Sequence, residues 1–586
     1  MRYCLVSREL APFFGAGIGT YAAQMARAMA EAGHEMIVVT GPHAGLDRAA
    51  DELPGVRIIG AEPPPEAAKL PFHFQRHSAA VRRTLLDLHA EAPLDVIEVP
   101  EYYGDGCWAL WGRQSAGELA GARILCHLHM TTALCRTLNE ERQTNLETLG
   151  MQAAERETIR LADALVSPSA ALLERTTADL AALGIACPTG AAIPYPFDVE
   201  AARRDLGAEG ARPADEAPTI LFFGRLERRK GPDLLAEAAL ALLDDFPTLR
   251  VRFVGGDTET GPGQSSMRAH LEQIVRDRRD RFDFVDRIAR GRLGAEIARA
   301  AVVCLPSRWD NFPNALLEAM SLAAPCVVTG AGGMGEIVED GVSGLACEPD
   351  PGALAPTLGR ALTSPELRSA LGAGARQRIE TLCDPQTVIE ARVAHMAQLA
   401  SPPAPPRRRA GAPRIGSIDV EEPDWYQRAR AAGRGGALLC LMRSREAVDE
   451  RFALRCAAAI ARSGAAVATA CSPETAPVGL DPEAIGAAEW SGPVVVTPAA
   501  LEAFKPAGVP DEVVRWALLC EVALRGGQMA VLPEPLIQRA RPAPARFASW
   551  IGARYPALAG APAPRPGLLQ RLRRRLGPAR RRSGQS

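Results

Sequence analysis

Residues 219–233 read TILFFGRLERRKGPD. The apolar run Thr219–Phe223 stops at Gly224, and Pro232 suits the first turn of a helix, where its missing N–H costs nothing. Strand, short loop and helix are the repeating unit of a parallel α/β sheet. The loop falls at the strand's C-terminal edge, where such sheets take their ligands. Arg225 and Lys230 on that loop can neutralise a diphosphate and stabilise charge building on a departing phosphate. The plainer reading is a solvated basic loop, to which Arg228 and Arg229 would simply add. Residue usage tilts the balance: lysine occurs only at Lys69, Lys230 and Lys505, and the other 64 of the 67 basic residues are arginine.

The same alternation extends in both directions. Upstream, strands are predicted at 3–6, 35–40, 56–59, 95–99, 123–128 and 164–167, with a helix-period segment over 19–32 that stops at Gly33. Downstream they are predicted at 250–254, 301–305, 326–329 and 344–347. Residues 207–218, rich in Gly, Pro and acids, separate the two series. The expectation is two doubly wound Rossmann-like domains, 1–206 and 207–400, facing each other across a cleft, with a last helix near 385–400 crossing back.

A second decisive segment is 306–320, PSRWDNFPNALLEAM. A strand runs into a loop carrying Asp310, and Asn314 is the natural N-cap of the following helix. Free N–H groups over Ala315, Leu316 and Leu317 would then offer an anion site. Glu318, eight residues after Asp310 and in the helix's first turn, can accept hydrogen bonds from two vicinal ribose hydroxyls, while Asp310 can hold a sugar hydroxyl. Either carboxylate alone would pass as a turn or dipole-favoured acid; the pair after a strand ending in Pro-Ser does not.

These segments resemble glycosyltransferase family 4, the retaining GT-B enzymes: 306–320 resembles the family's acid-x7-Glu signature and GRLERRKG its diphosphate-binding loop. Further similar segments follow in order: the glycine loop at Gly15, Gly17 and Gly19, the strand ending ILCHLH (124–129), Pro194–Pro196, Phe253–Gly256 and Gly332–Val338. The resemblance covers about residues 1–400. It implies a nucleotide-sugar donor, UDP- or GDP-linked, bound mainly by the second domain, and a glycan or glycolipid acceptor bound mainly by the first. Arg225 and Lys230 would bind the diphosphate beside Gly224, Glu318 the ribose and Asp310 the sugar. His129, preferred to His127, would lie near the reacting sugar, and Gly17 would let the backbone approach. Catalytic roles thus fall to His129, Arg225 and Lys230, and donor binding also to Asn314, Ala315 and Leu316. No metal or other cofactor is implied. Asp310 departs from the family, whose first acid is usually Glu.

Composition fits an ordinary globular chain, 47% hydrophobic and 23% charged, and a net charge of −2 gives no pull toward nucleic acid. The 13 cysteines form no Cys-x-x-Cys pair, and no apolar run is long enough to span a bilayer, so a cytoplasmic protein is expected. Residues 401–414, SPPAPPRRRAGAPR, read as a semi-rigid linker. Residues 415–545 read as a mixed α/β region, of which about 436–540 resembles a degenerate family 2 (GT-A) fragment, with 524–536 similar to its closing segment, 492–501 to a segment before it, and 437–445 standing where its metal-binding Asp-x-Asp would be, without an aspartate; an unrelated α/β appendage is nearly as good a reading. The arginine-rich tail, 546–586, reads as disordered, with peripheral contact to anionic membrane left open. An inactive GT-B scaffold and a sugar-nucleotide epimerase remain alternatives. A nicotinamide oxidoreductase fits worse, because Gly15-x-Gly17-x-x-Thr20 lacks the third glycine and starts too far beyond Val6.

Overall fold

The computed structural model describes residues 1–399 except 13, 14, 16, 44, 66, 69, 71, 142–144 and 208–216, and beyond them only segments between 415 and 539. Strands β1 (Arg2–Val6), β2 (Glu35–Thr40), β3 (Val56–Gly60), β4 (Val96–Pro100), β5 (Arg123–His127), β6 (Ala164–Ser167) and β7 (Gly190–Ala192) form one sheet in the order β3-β2-β1-β4-β5-β6-β7. A second sheet holds β8 (Thr219–Phe223), β9 (Arg250–Val254), β10 (Phe282–Val285), β11 (Val302–Leu305), β12 (Cys326–Thr329) and β13 (Leu345–Cys347), in the order β10-β9-β8-β11-β12-β13. Every neighbouring pair in both sheets is parallel. Near-continuous apolar strands such as β8 and β11 require this, because helices cover both faces. The result is the GT-B fold.

Strand order reverses between β8 and β11, which pair through Ile220 with Val302 and Leu221 with Val303. The loops leaving these two strands therefore diverge at a switch point, the crevice in which open α/β sheets bind ligands. Those loops carry 224–231 and 306–313, the two segments singled out by sequence. The three-residue β7 and the strand β10 are absent from the sequence reading. Gly190–Ala192 has no residue that favours strand, and Phe282–Val285 follows the charge-dense RDRRDR, whose pattern hides it.

The helix Pro385–Gln398 leaves the second sheet's layer and packs on the first. Its Val388, Ile389 and Met396 share one core with Tyr3, Met25 and Met29. Arg392 is fully buried and donates to Glu98 of β4, which also accepts the hydroxyls of Tyr3 and Tyr21. Nearby, the Phe197 N–H donates to the Cys383 carbonyl at 2.8 Å, tying together the two stretches of chain that pass between the sheets.

Beyond 414, strands β14 (Ile415–Asp419), β15 (Leu438–Met442), β17 (Val467–Ala470), β18 (Val494–Val496) and β19 (Met529–Leu532) make a mixed sheet, and β16 (Ala447–Val448) pairs with β20 (Ile537–Arg539). This sheet packs on the first domain's helix Cys107–Ala116: Leu439, Leu441, Val496 and Val531 share a core with Phe74, Trp108 and Trp111. Of the segment 437–445, residues 438–442 are β15. The expected linker 401–414 and the basic tail 546–586 lie outside the described residues. No described helix is long and apolar enough to cross a membrane.

Candidate active site

The loop after β8 is shaped by two glycines. Gly224 leaves the strand at φ +136°, a conformation that disfavours any side chain. Gly231, at φ +66°, ends a tight turn over Arg228–Lys230, and a Cβ there would stand 2.0 Å from the Pro306 carbonyl oxygen. That close approach brings Lys230 against the neighbouring loop, with Nζ 3.7 Å from Asp310 Oδ2. Arg308 braces the pairing. Its N–H donates to the Arg229 carbonyl and its guanidinium to the Arg228 carbonyl and both oxygens of Asp233, all at 2.7 Å.

Arg229 is a residue that sequence reasoning set aside as part of a solvated run. It is instead buried, with Nη1 3.3 Å from Asp310 and Nε 3.2 Å from Glu227. Burial alone would raise the Asp310 carboxyl, but Arg229 and then Lys230 outweigh it and hold the group below the usual aspartate range. Burial pulls Lys230 the other way, below the ordinary lysine range, against the attraction of Asp310. Asp310 Oδ2 nonetheless has no hydrogen-bond partner, which leaves a buried acceptor beside a cation. Arg225 stands farther out, 59% exposed, and pairs with Glu227 at 3.2 Å.

The helix after the second loop differs from expectation at its start. Pro313 takes the N-cap position and Asn314 is the first helical residue, so Glu318 lies in the second turn. The N–H groups of Leu316 and Leu317 turn back onto the Pro313 carbonyl at 2.9 and 3.3 Å, so of the three expected free donors only Ala315 keeps that character. Proline cannot donate but can accept, and its extended conformation lets the first turn close onto it. Freed from capping, the Asn314 side chain reaches across the cleft and donates to the Gly17 carbonyl at 3.1 Å. Glu318 is buried and accepts from Arg290 at 2.6 Å. Burial lifts its carboxyl above the usual range, with Arg290 and Lys230 pulling against it.

On the first-domain side, His129 lies two residues beyond β5. Its N–H donates to both oxygens of Glu101, at 2.7 and 2.9 Å, and the next N–H, of Met130, to the same carboxylate at 2.6 Å. Its Nδ1 is 3.2 Å from the Tyr195 hydroxyl, and its carbonyl accepts from Asn311 of the second loop at 3.1 Å. Burial, and then the charge of Arg392, pull the ring down to about 3, so it is neutral imidazole at physiological pH. His127 sits deeper, stacked on Tyr21 with centroids 4.3 Å apart and both ring nitrogens unpartnered. Asn139, absent from the sequence reading, ends the helix Thr132–Leu138 and reaches into the cation turn. Gly17 thus meets Asn314, His129 meets Asn311 beside Asp310, and Lys230 stands between Asp310 and Gly224 and within electrostatic reach of Glu318, with Arg225 farther out. Among the described residues, no group of three or more His, Cys, Asp or Glu side chains is arranged to hold a metal ion.

Residues 16–183 match the family described as glycosyl transferase 4-like domain, and residues 208–378 the family described as glycosyl transferases group 1. The D-inositol 3-phosphate glycosyltransferase of Actinosynnema mirum is 30% identical over 383 residues, covering 61% of this chain and 87% of that protein. The enzyme of the same name from Geodermatophilus obscurus is 36% identical over 192 residues, so that the match spans 31% of this chain and 40% of that protein. Glycogen synthase of Mycobacterium tuberculosis is 28% identical over 415 residues, 67% of this chain and 93% of that protein. Among solved structures, sucrose-phosphate synthase from Thermosynechococcus elongatus shares the fold, with a TM-score of 0.51, 22% identity, and coverage of 68% of this chain and 98% of that one.

Proposed function

Because the chain belongs to glycosyltransferase family 4, the group 1 enzymes that move a sugar from a nucleotide-sugar to an acceptor, we propose that it transfers a hexose from a UDP- or GDP-linked donor to a glycan or glycolipid with retention of configuration. One juxtaposition supports this most: Lys230 stands 3.7 Å from Asp310, both at the switch point, while the first domain meets the same loops through Gly17 and His129. In this reading Arg225 and Lys230 hold the diphosphate, Glu318 the ribose and Asp310 a sugar hydroxyl. The bond between C1 and the diphosphate oxygen breaks as the acceptor oxygen bonds to C1 on the same face. The acceptor's proton passes to the leaving phosphate oxygen. The two cations stabilise that oxygen as its charge grows, and neutral His129 lies near the sugar as a hydrogen-bonding group.

The relatives carry different names, a D-inositol 3-phosphate glycosyltransferase and a glycogen synthase, so membership of the family does not specify the acceptor here. We take the first domain's loops to supply that choice, in bacterial polysaccharide or envelope synthesis at the cytoplasmic side. The region 415–545 is read as non-catalytic. The decisive assay incubates the full chain with a panel of UDP-, GDP- and ADP-sugars and follows thermal shift and release of nucleoside diphosphate. Absence of both with every donor would reject the assignment.

A further inference from the structure

Glu318 is held by a residue that neither the sequence signature nor the diphosphate loop supplies. Arg290 opens the helix Arg290–Arg299 just after β10, and its Nη1 donates to Glu318 Oε1 at 2.6 Å. The two side chains are unequal partners: Arg290 is 40% exposed and Glu318 8%. Among the described residues, Glu318 is the one carboxylate paired with Arg290, and the contact uses one of the two carboxylate oxygens. A carboxylate buried this far favours its neutral form unless a cation stands beside it. The charged groups facing it are Arg290, from the helix after β10, and Lys230, from the loop after β8. Lys230 is already engaged with Asp310.

We infer that Arg290 is a positioning residue for nucleotide recognition: it grips one oxygen of Glu318 as its counter-ion and leaves the other oxygen to accept from the ribose. The inference rests on the ribose role proposed for Glu318. An ionised carboxylate can accept from two hydroxyls, whereas a protonated one spends an oxygen as a donor. A purely structural ion pair at a half-exposed arginine would contribute little and would not make nucleotide binding depend on pH.

The test measures binding of UDP, GDP and their 2′-deoxy analogues to the full chain by calorimetry from mildly acid to mildly alkaline pH. Arg290→Gln is expected to bind the preferred diphosphate roughly tenfold more weakly at the acid end and to recover toward the alkaline end. Arg290→Lys keeps the charge and the wild-type profile. In a Glu318→Gln background, Arg290→Gln changes nothing further. Arg290→Met replaces Arg290→Gln if the latter does not fold. A pH-independent loss, no loss, or a loss that persists without Glu318 would overturn the inference. If Glu318→Gln binds as wild type does and still distinguishes ribose from 2′-deoxyribose, it is the ribose assignment that fails.

Discussion

The side-chain amide of Asn139 donates to Glu227 at 3.0 Å, and its oxygen accepts the Arg229 N–H at 3.0 Å. A residue of the first domain is thereby inserted into the turn that bears Arg229 and Lys230. Glu140 beside it, at φ +54°, adds an ion pair to Arg228 at 2.7 Å. Replacing Asn139 by Ala strands a buried acceptor and a buried donor, at about 1–3 kcal/mol. Donor KM is expected to rise and the melting temperature to fall; steady-state kinetics with the preferred donor, alongside a melt, read both. Unchanged values would show the contact to be incidental.

Lys230→Ala should reduce kcat/KM for the donor by the equivalent of about 2–5 kcal/mol, the cost of removing one member of a desolvated charge pair. Arg225→Ala should cost less, because its side chain is 59% exposed and water can replace part of its charge. Equal turnover in wild type and both variants would remove the diphosphate assignment.

Arg308→Ala should act through the turn it braces, raising donor KM more than it lowers kcat. Arg308→Lys should fail to restore it, since a lysine cannot make the paired bonds to Asp233 together with the bond to Arg228. Full rescue by lysine would mean that charge alone matters at this position.

Two buried carboxyls behind the histidine loop predict a pH dependence of stability. Burial, then Glu155, push Glu101 up to about 8, and burial pushes Glu155 up to about 7. Between the ordinary carboxylate range and those values the folded chain keeps protons that the unfolded chain has released. Their contribution is therefore complete below about pH 4 and is lost as pH rises toward 8. The melting temperature should decline over the upper part of this window, and Glu101→Gln should flatten the decline. A wild-type melting temperature that rises from about pH 6 to about pH 8, or an identical slope in the variant, contradicts this.

Ending the chain at residue 400 should uncover Phe74, Trp108 and Trp111, which now share a core with the C-terminal sheet. Exposed apolar surface of this kind promotes association, so the truncated protein is expected to melt earlier and to aggregate on size-exclusion chromatography. A monodisperse, equally stable product would show that the sheet is dispensable for folding.

Much of the architecture was legible because buried parallel strands are apolar runs punctuated by glycine and proline: β2, β6, β8, β9 and β12 match their sequence-predicted bounds. The two loops could be found because they must follow β8 and β11. What sequence could not reveal was who meets whom across the cleft. Arg229 and Arg228 are neighbours with the same charge, yet one is buried against Asp310 and the other reaches Glu140. Nothing local to the pair marks that difference. Asn139 touches Glu227 across 88 positions of chain, with no periodicity to signal it. The N-cap was misplaced for a simpler reason: asparagine is the better capping residue in isolation, and only the structure shows its amide engaged with Gly17 instead.

The Phe197–Cys383 hydrogen bond has a mechanical meaning. It stitches side by side two stretches of chain that join the first sheet's domain to the second's. Attachment along one line is the geometry of a hinge, about which a rotation would disturb fewer contacts than a slide.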